Sequence, residues 1–302
     1  MAGYDERDTI FSRMELVPGS DRYRDYYTAH PEREHPDTLA RTAPPIRDGD
    51  AMRRRLVDST FGLLADMRPL ARGEPAAGRL DVTPAEASAF LEAFARSYGA
   101  VLFGTAVLGD ACFYGIRGRG AEYGMPVEVP GRSAAVFAVR MEAGEIADAP
   151  SQRASAEVVN GYARVALIGL VIARCVRGWG WEASCTMDGR ADVVLPVAAR
   201  YAGLGSIGRS GLLLTEEYGP CVRLGAVLTD MPFGSLPRAP GTAARACSAC
   251  TRCAQACPAS AIDRGPAANG RFVPVDDDAC FSKWRESGTD CGLCIAACPL
   301  TR

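Results

Sequence analysis

The 302-residue sequence predicts an α/β (α+β) chain, a large mixed core followed by a small cysteine-rich domain, on three observations. Strand-like apolar segments at 100–108, 134–141 and 222–228 are interspersed with helical periodicity at 51–67, 84–98 and 157–176. A stretch rich in Pro, Gly and Ala, from Pro232 to Arg245, reads as a linker. Beyond it, eight of the twelve cysteines fall between Cys247 and Cys298. These features divide the chain into an arm (1–50), a core (51–236) and a C-terminal domain (237–302).

The cysteine spacing specifies the last domain. Cys247, Cys250, Cys253 and Cys257 form a C-x2-C-x2-C-x3-C-P run, and Cys280, Cys291, Cys294 and Cys298 form a second set, again closed by a proline. Bacterial ferredoxins with two [4Fe–4S] clusters have this spacing, and the fourth cysteine of each run ligates the other cluster. Cys247, Cys250, Cys253 and Cys298 are therefore assigned to one cluster, and Cys280, Cys291, Cys294 and Cys257 to the other. Zinc takes paired C-x2-C knuckles, but three cysteines in seven residues with a fourth before proline suit a cubane corner better. The same tight spacing makes a poor disulfide framework. The motif predicts electron transfer and names no substrate.

Residues 1–50 are charged and lack sustained periodicity, yet Tyr4, Phe11, Met14, Tyr23, Tyr26 and Tyr27 supply anchors for an arm of short helical turns lying over the core. Both histidines, His30 and His35, fall in this arm, which argues against a histidine base or histidine-ligated metal in the core. Helices are expected at Ala51–Met67 and Pro84–Tyr98, the second opened by Thr83, Pro84 and Glu86 as a capping box. Strands follow at Ala100–Leu108 and Ala134–Met141, and a long helix at Glu157–Val176 buries Val158, Val165, Ile168, Ile172 and Cys175. A short strand at Val193–Val197 is expected to lead into Gly203-Leu-Gly205-Ser-Ile-Gly208. That loop matches G-x-G-x-x-G, but the strand-like Leu212–Thr215 follows where a dinucleotide site needs a helix. It suits a glycine turn against another large, flat or anionic ligand.

A net charge of −2, with 48% apolar and 23% charged residues, gives no global attraction to nucleic acid. Thiolate-rich runs imply a reducing compartment, hence a cytoplasmic protein, and Cys112, Cys175, Cys185 and Cys221 read as buried apolar cysteines. The most apolar run, Val165–Ala173, lies between Arg164 and Arg174 and is far shorter than the roughly 20 residues a membrane span requires. Arg53-Arg54-Arg55 is internal and followed by Val57-Asp58-Ser59-Thr60, which excludes a twin-arginine signal.

Ala202-Gly-Leu-Gly-Ser-Ile-Gly-Arg209 and its continuation to Tyr218-Gly-Pro-Cys-Val-Arg223 resemble the corrinoid iron–sulfur reductive dehalogenases. So do Thr229-Asp230-Met231-Pro232, the Trp284…Cys291-Gly-Leu-Cys294 run, the opening Tyr4-Asp-Glu-Arg-Asp-Thr-Ile-Phe11, and Ala149-Pro150-Ser151…Tyr162. The epoxyqueuosine reductases share the glycine loop and the cluster runs but match the arm less well. The resemblance implies a nitroreductase-like core that buries base-off cobalamin, with Gly203, Gly205, Gly208 and Arg209 against it, joined to a ferredoxin-like domain. It further implies Tyr162 as proton donor and Arg223 as its partner, with a small-molecule substrate and an external low-potential donor such as ferredoxin or flavodoxin. No membrane or nucleic-acid partner is expected.

A third family position, Asn or Lys in the dehalogenases, falls near Met187-Asp188, where an acid resembles the epoxide-reducing relatives. Three readings therefore stand: a cobalamin-dependent reductase cleaving a carbon–halogen or related polar bond, an epoxide reductase acting on tRNA, and a cobalamin-free cluster protein.

Overall fold

A four-stranded antiparallel sheet organises the core in the computed structural model, which describes residues 3–42, 50–234, 241–266 and 272–302. The arm contains β1 (Tyr4–Asp5), α1 (Ile10–Met14), α2 (Asp21–Ala29) and α3 (Pro31–Thr42). The core opens with α4 (Ala51–Met67), α5 (Pro84–Ser97), β2 (Ala100–Val107), β3 (Tyr114–Ile116), β4 (Ser133–Arg140) and α6 (Ala143–Ile146). It continues with α7 (Gln152–Gly178), β5 (Ala183–Cys185), α8 (Leu195–Tyr201), β6 (Ser206–Ile207), β7 (Leu213–Leu214) and β8 (Val222–Thr229). The C-terminal domain contains α9 (Thr242–Ala249), α10 (Arg252–Ala256), α11 (Asp277–Ser287) and α12 (Leu293–Ala296). The expected boundary at 236/237 lies outside the described residues.

The sheet runs β2-β4-β8-β5, and every pairing is antiparallel. Strand side chains alternate faces, so β4 serves two apolar layers. Ala135, Phe137 and Val139 pack with Val165, Ile168 and Ile172 of α7, while Ala134, Val136 and Ala138 pack with Ala198 and Ala199 of α8. Both faces are covered, which is why β4 reads as a continuous apolar run. Arg223 of β8 pairs with Val139, so it shares the α7 face.

Helix α7 starts earlier than its apolar period suggests. Ser151 accepts a hydrogen bond from the Ala154 N–H and caps the helix, but the polar first turn carries no periodic signal. At 27 residues α7 is long and apolar enough, by length and composition alone, to cross a membrane, although the Val165–Ala173 run is not. Here it is the core helix, packed between the sheet and α4. Helix α5 has the expected capping box: the Thr83 hydroxyl accepts from the Glu86 N–H, and Glu86 accepts from the Thr83 N–H.

Two expectations change. Val193–Val197 is not a strand: Pro196 sits in the first turn of α8, and Val193 keeps only an isolated bridge to Phe113. The sheet also gains β5, three residues paired to β8, too short to show a period.

The arm ties the core to the C-terminal domain. Buried Glu6 accepts from the Gly118 N–H at 2.8 Å, beside the parallel pairing of β1 with β3. Buried Arg13 pairs with Asp37 at 2.8 Å and also reaches Asp278 of α11. Phe11 packs edge-on against Phe281 at 5.6 Å, and Arg285 donates to the Ala40 carbonyl at 2.8 Å.

Candidate functional site

The eight thiols gather in two neighbouring groups. Cys298 is acted on by Cys247 and Cys250, and Cys253 feels Cys247, Cys250 and Cys298. Cys280, in contrast, has Cys291 and Cys257 as its thiol neighbours. Burial pushes the Cys280 thiol up to about 11 and the Cys294 thiol up to about 12, and the neighbouring thiols push both the same way. Four crowded thiols give up their protons only when a cation replaces them. Among the described residues no group of three His, Cys, Asp or Glu side chains suits a single metal ion. The other four cysteines stand apart: burial raises Cys112 and Cys221 to about 11 and Cys185 to about 12, and it also raises Cys175.

The glycine loop closes over the first set. Cys247, Cys250, Cys253 and Cys298, with Cys294 of the second set, line a cavity walled also by Gly208, Arg209, Leu212, Leu214 and Pro220. The loop is a small hairpin, β6 paired to β7, rather than the entry to a helix. Gly203 has φ +74, a conformation glycine adopts without strain. A Cβ on Gly205 would lie 2.4 Å from the Leu214 carbonyl oxygen, and one on Gly208 would touch Cys247 Sγ at 3.7 Å. The Arg209 N–H donates to Cys247 Sγ at 3.5 Å, and its guanidinium donates to the carbonyls of Cys250, Ser248, Asp263 and Gly265. Gly203, Gly205, Gly208 and Arg209, expected against a corrin, lie in this hairpin and beside the C-terminal domain.

Tyr162 and Arg223 do meet, but face to face with the ring. The Arg223 guanidinium carbon stands 4.3 Å from the Tyr162 ring centroid. Gly161 makes this possible, because a Cβ there would be 3.0 Å from Arg223 Cβ. Phe61 of α4 flanks the ring at 5.9 Å, and Arg223 Nε is buried without a hydrogen-bond partner among the described residues. Asp188 lies on a turn, its carbonyl oxygen accepting from Arg68 Nε at 2.6 Å and its carboxylate 3.4 Å from Arg68 Nη2.

Between this pair and the second thiol set lies Asp290, which sequence reasoning missed. Its N–H donates to Ser155 Oγ at 3.1 Å, fastening the residue before Cys291 to α7. Burial pushes its carboxyl up, against the opposing pull of Arg223. Neighbouring Thr289 has a buried hydroxyl without a partner among the described residues. Nothing local marks either residue: each is a polar position in a loop, significant only for what α7 and β8 bring beside it.

A family model described as a 4Fe-4S dicluster domain matches residues 246–301. The tetrachloroethene reductive dehalogenase of Sulfurospirillum multivorans is 33% identical over 164 residues, covering 51% of this chain and 32% of that protein. The enzyme of the same name from Desulfitobacterium hafniense is 33% identical over 183 residues, covering 55% and 32%. Over about half its length, the chain is similar to the reductive dehalogenases. It matches about a third of the length of these curated relatives. A solved catabolic reductive dehalogenase in complex with 3-bromo-4-hydroxybenzoic acid shares its fold, with TM-score 0.74 at 22% identity over 88% of this chain and 39% of that one. The epoxyqueuosine reductase of Listeria monocytogenes is 32% identical over 112 residues, covering 34% of this chain and 28% of that protein. The matched 4Fe-4S dicluster domain contains all eight cysteines of the two thiol sets.

Proposed function

We propose that the chain is a cobalamin-dependent iron–sulfur reductase that cleaves a carbon–halogen or related polar bond of a small organic substrate. The observation that carries this reading is the link between a cluster and an acid pair. The second thiol set is joined through Cys291 and Asp290 to α7 and to the Tyr162–Arg223 stack. Cys247, Cys250, Cys253 and Cys298 hold one [4Fe–4S] cluster in this reading, and Cys280, Cys291, Cys294 and Cys257 the other. Electrons enter from an external low-potential protein such as ferredoxin or flavodoxin, in the reducing conditions of the cytoplasm.

The residues beside the stack fit a corrinoid. Arg223 Nε and Thr289 Oγ1 are buried polar atoms without partners among the described residues, available to the amide side chains of such a ligand. Cobalamin, if held there, would supply a strongly reducing cobalt centre for cleaving that bond. Tyr162 then delivers the proton from its hydroxyl to the carbon that the leaving group vacates. The Arg223 guanidinium, 4.3 Å from the ring centroid, places a positive charge beside the phenolate left behind. Asp188, held by Arg68, is the second acid near this face.

Anaerobic reconstitution with iron, sulfide and cobalamin, followed by metal analysis and visible spectroscopy, tests the proposal. About eight irons per chain follow from two cubanes, and one cobalt follows from the corrinoid. Full iron with no cobalamin uptake would overturn the cobalamin reading and leave an electron-transfer protein.

A further inference from the structure

Arg209 belongs to the core, yet almost everything it touches belongs to the C-terminal domain. Its side chain is 3% exposed. Nε donates to the Cys250 carbonyl at 2.7 Å, Nη2 to Ser248 at 3.3 Å, and Nη1 to Asp263 at 3.0 Å and Gly265 at 2.5 Å. Phe272 lies against the guanidinium at 4.7 Å. Every acceptor is a backbone carbonyl, and no salt bridge to Arg209 occurs among the described residues. A buried arginine usually sits opposite a carboxylate that cancels its charge. This one keeps a full positive charge against the segment that carries Cys247 and Cys250, and its own N–H points at Cys247 Sγ.

We propose that Arg209 is a positioning residue that sets the reduction potential of the cluster held by Cys247, Cys250, Cys253 and Cys298. The inference rests on the two-cluster reading above. Reduction adds one electron, and so one negative charge, to the cluster. A nearby buried cation and an N–H donated to a ligand sulfur both stabilise that added charge and raise the potential. Because the cation is carried by the core hairpin, the cluster has its full potential only while the C-terminal domain is docked. The second cluster has no counterpart to Arg209 among these contacts and is expected to be insensitive to it.

The test is a dithionite titration of the reconstituted chain, followed by EPR, comparing wild type with Arg209→Gln and Arg209→Lys. Arg209→Gln should lower the midpoint of the first cluster and leave that of the second in place. Arg209→Lys keeps the charge and should hold the midpoint near wild type, even though it loses the planar fork. An unchanged first midpoint in Arg209→Gln with full iron, or equal lowering of both midpoints, would reduce Arg209 to a mechanical clamp. Should Arg209→Gln lose the first cluster, Arg209→Lys decides alone: a wild-type midpoint supports the proposal, and a lowered one or a lost cluster overturns it. Iron content separates this outcome from failure of the two-cluster reading, which would show as too little iron in the wild type.

Discussion

The thiol set around Cys247 lies under a hairpin of the core, where Arg209 and Gly208 press against it, whereas the set around Cys280 is gathered from α11, α12 and the end of the first run. The second set also has the arm on one side, through Arg13 and Asp278, and α7 on the other, through Ser155 and Asp290. One set is thus roofed by a single loop and the other suspended between three parts of the chain. Under the two proposals above, similar cysteine spacings serve different tasks: charge control at the first set and a route to the Tyr162–Arg223 stack at the second.

The most severe way to break this comparison is Cys257→Ser. The variant should lose the cluster of Cys280, Cys291 and Cys294 while keeping the one held by its own sequence neighbours, so iron falls to about four per chain. Loss of the first cluster instead, seen by EPR, would refute the crossed assignment. Next in size is Tyr162→Phe, which keeps the ring that Arg223 stacks on and removes only the hydroxyl. Turnover should fall by roughly 10²–10⁴-fold with both clusters intact. A rate within a few-fold of wild type would remove Tyr162 as proton donor and leave Asp188 to be tested.

Arg13→Ala sharpens the difference between the sets. It strands the buried Asp37 carboxylate and frees α11, at a cost of about 3–5 kcal/mol, and the second cluster should become the more labile to chelators. Equal lability of both clusters would show that the arm does not discriminate between them. Gly161→Ala should cost about 1–3 kcal/mol by overpacking Arg223, displacing the guanidinium from the ring without touching either thiol set. The smallest effect is expected from Thr83→Ala, remote from both sets. Loss of that cap should lower the thermal midpoint by the equivalent of about 1 kcal/mol and leave both EPR signals unchanged.

Legibility in the sequence followed the range of the interactions. The α4 limits, the α5 cap and the three long strands were readable because propensity, capping and apolar period act within a few residues. The start of α7 was not, because its polar first turn hides the Ser151 cap, and Val193–Val197 misled because a β-branched pair preceded a helix-starting proline. The glycine loop was the instructive case. Its residues correctly argued against a dinucleotide helix, but their partner proved to be a cysteine-bearing segment some forty residues further along the chain (about 40, the separation of Arg209 from Cys247 and Cys250).

By itself the sequence determined the cluster chemistry, since ligand type and spacing are local properties of the two cysteine runs. It also determined the mixed core, through periodicity. Only the tertiary structure decided that Arg223 lies over the face of Tyr162, that Arg209 guards a thiol set, and that Asp290 stands between the second set and α7. Each of those contacts joins segments far apart in the chain, and their geometry depends on sheet register and helix packing, which no local pattern encodes.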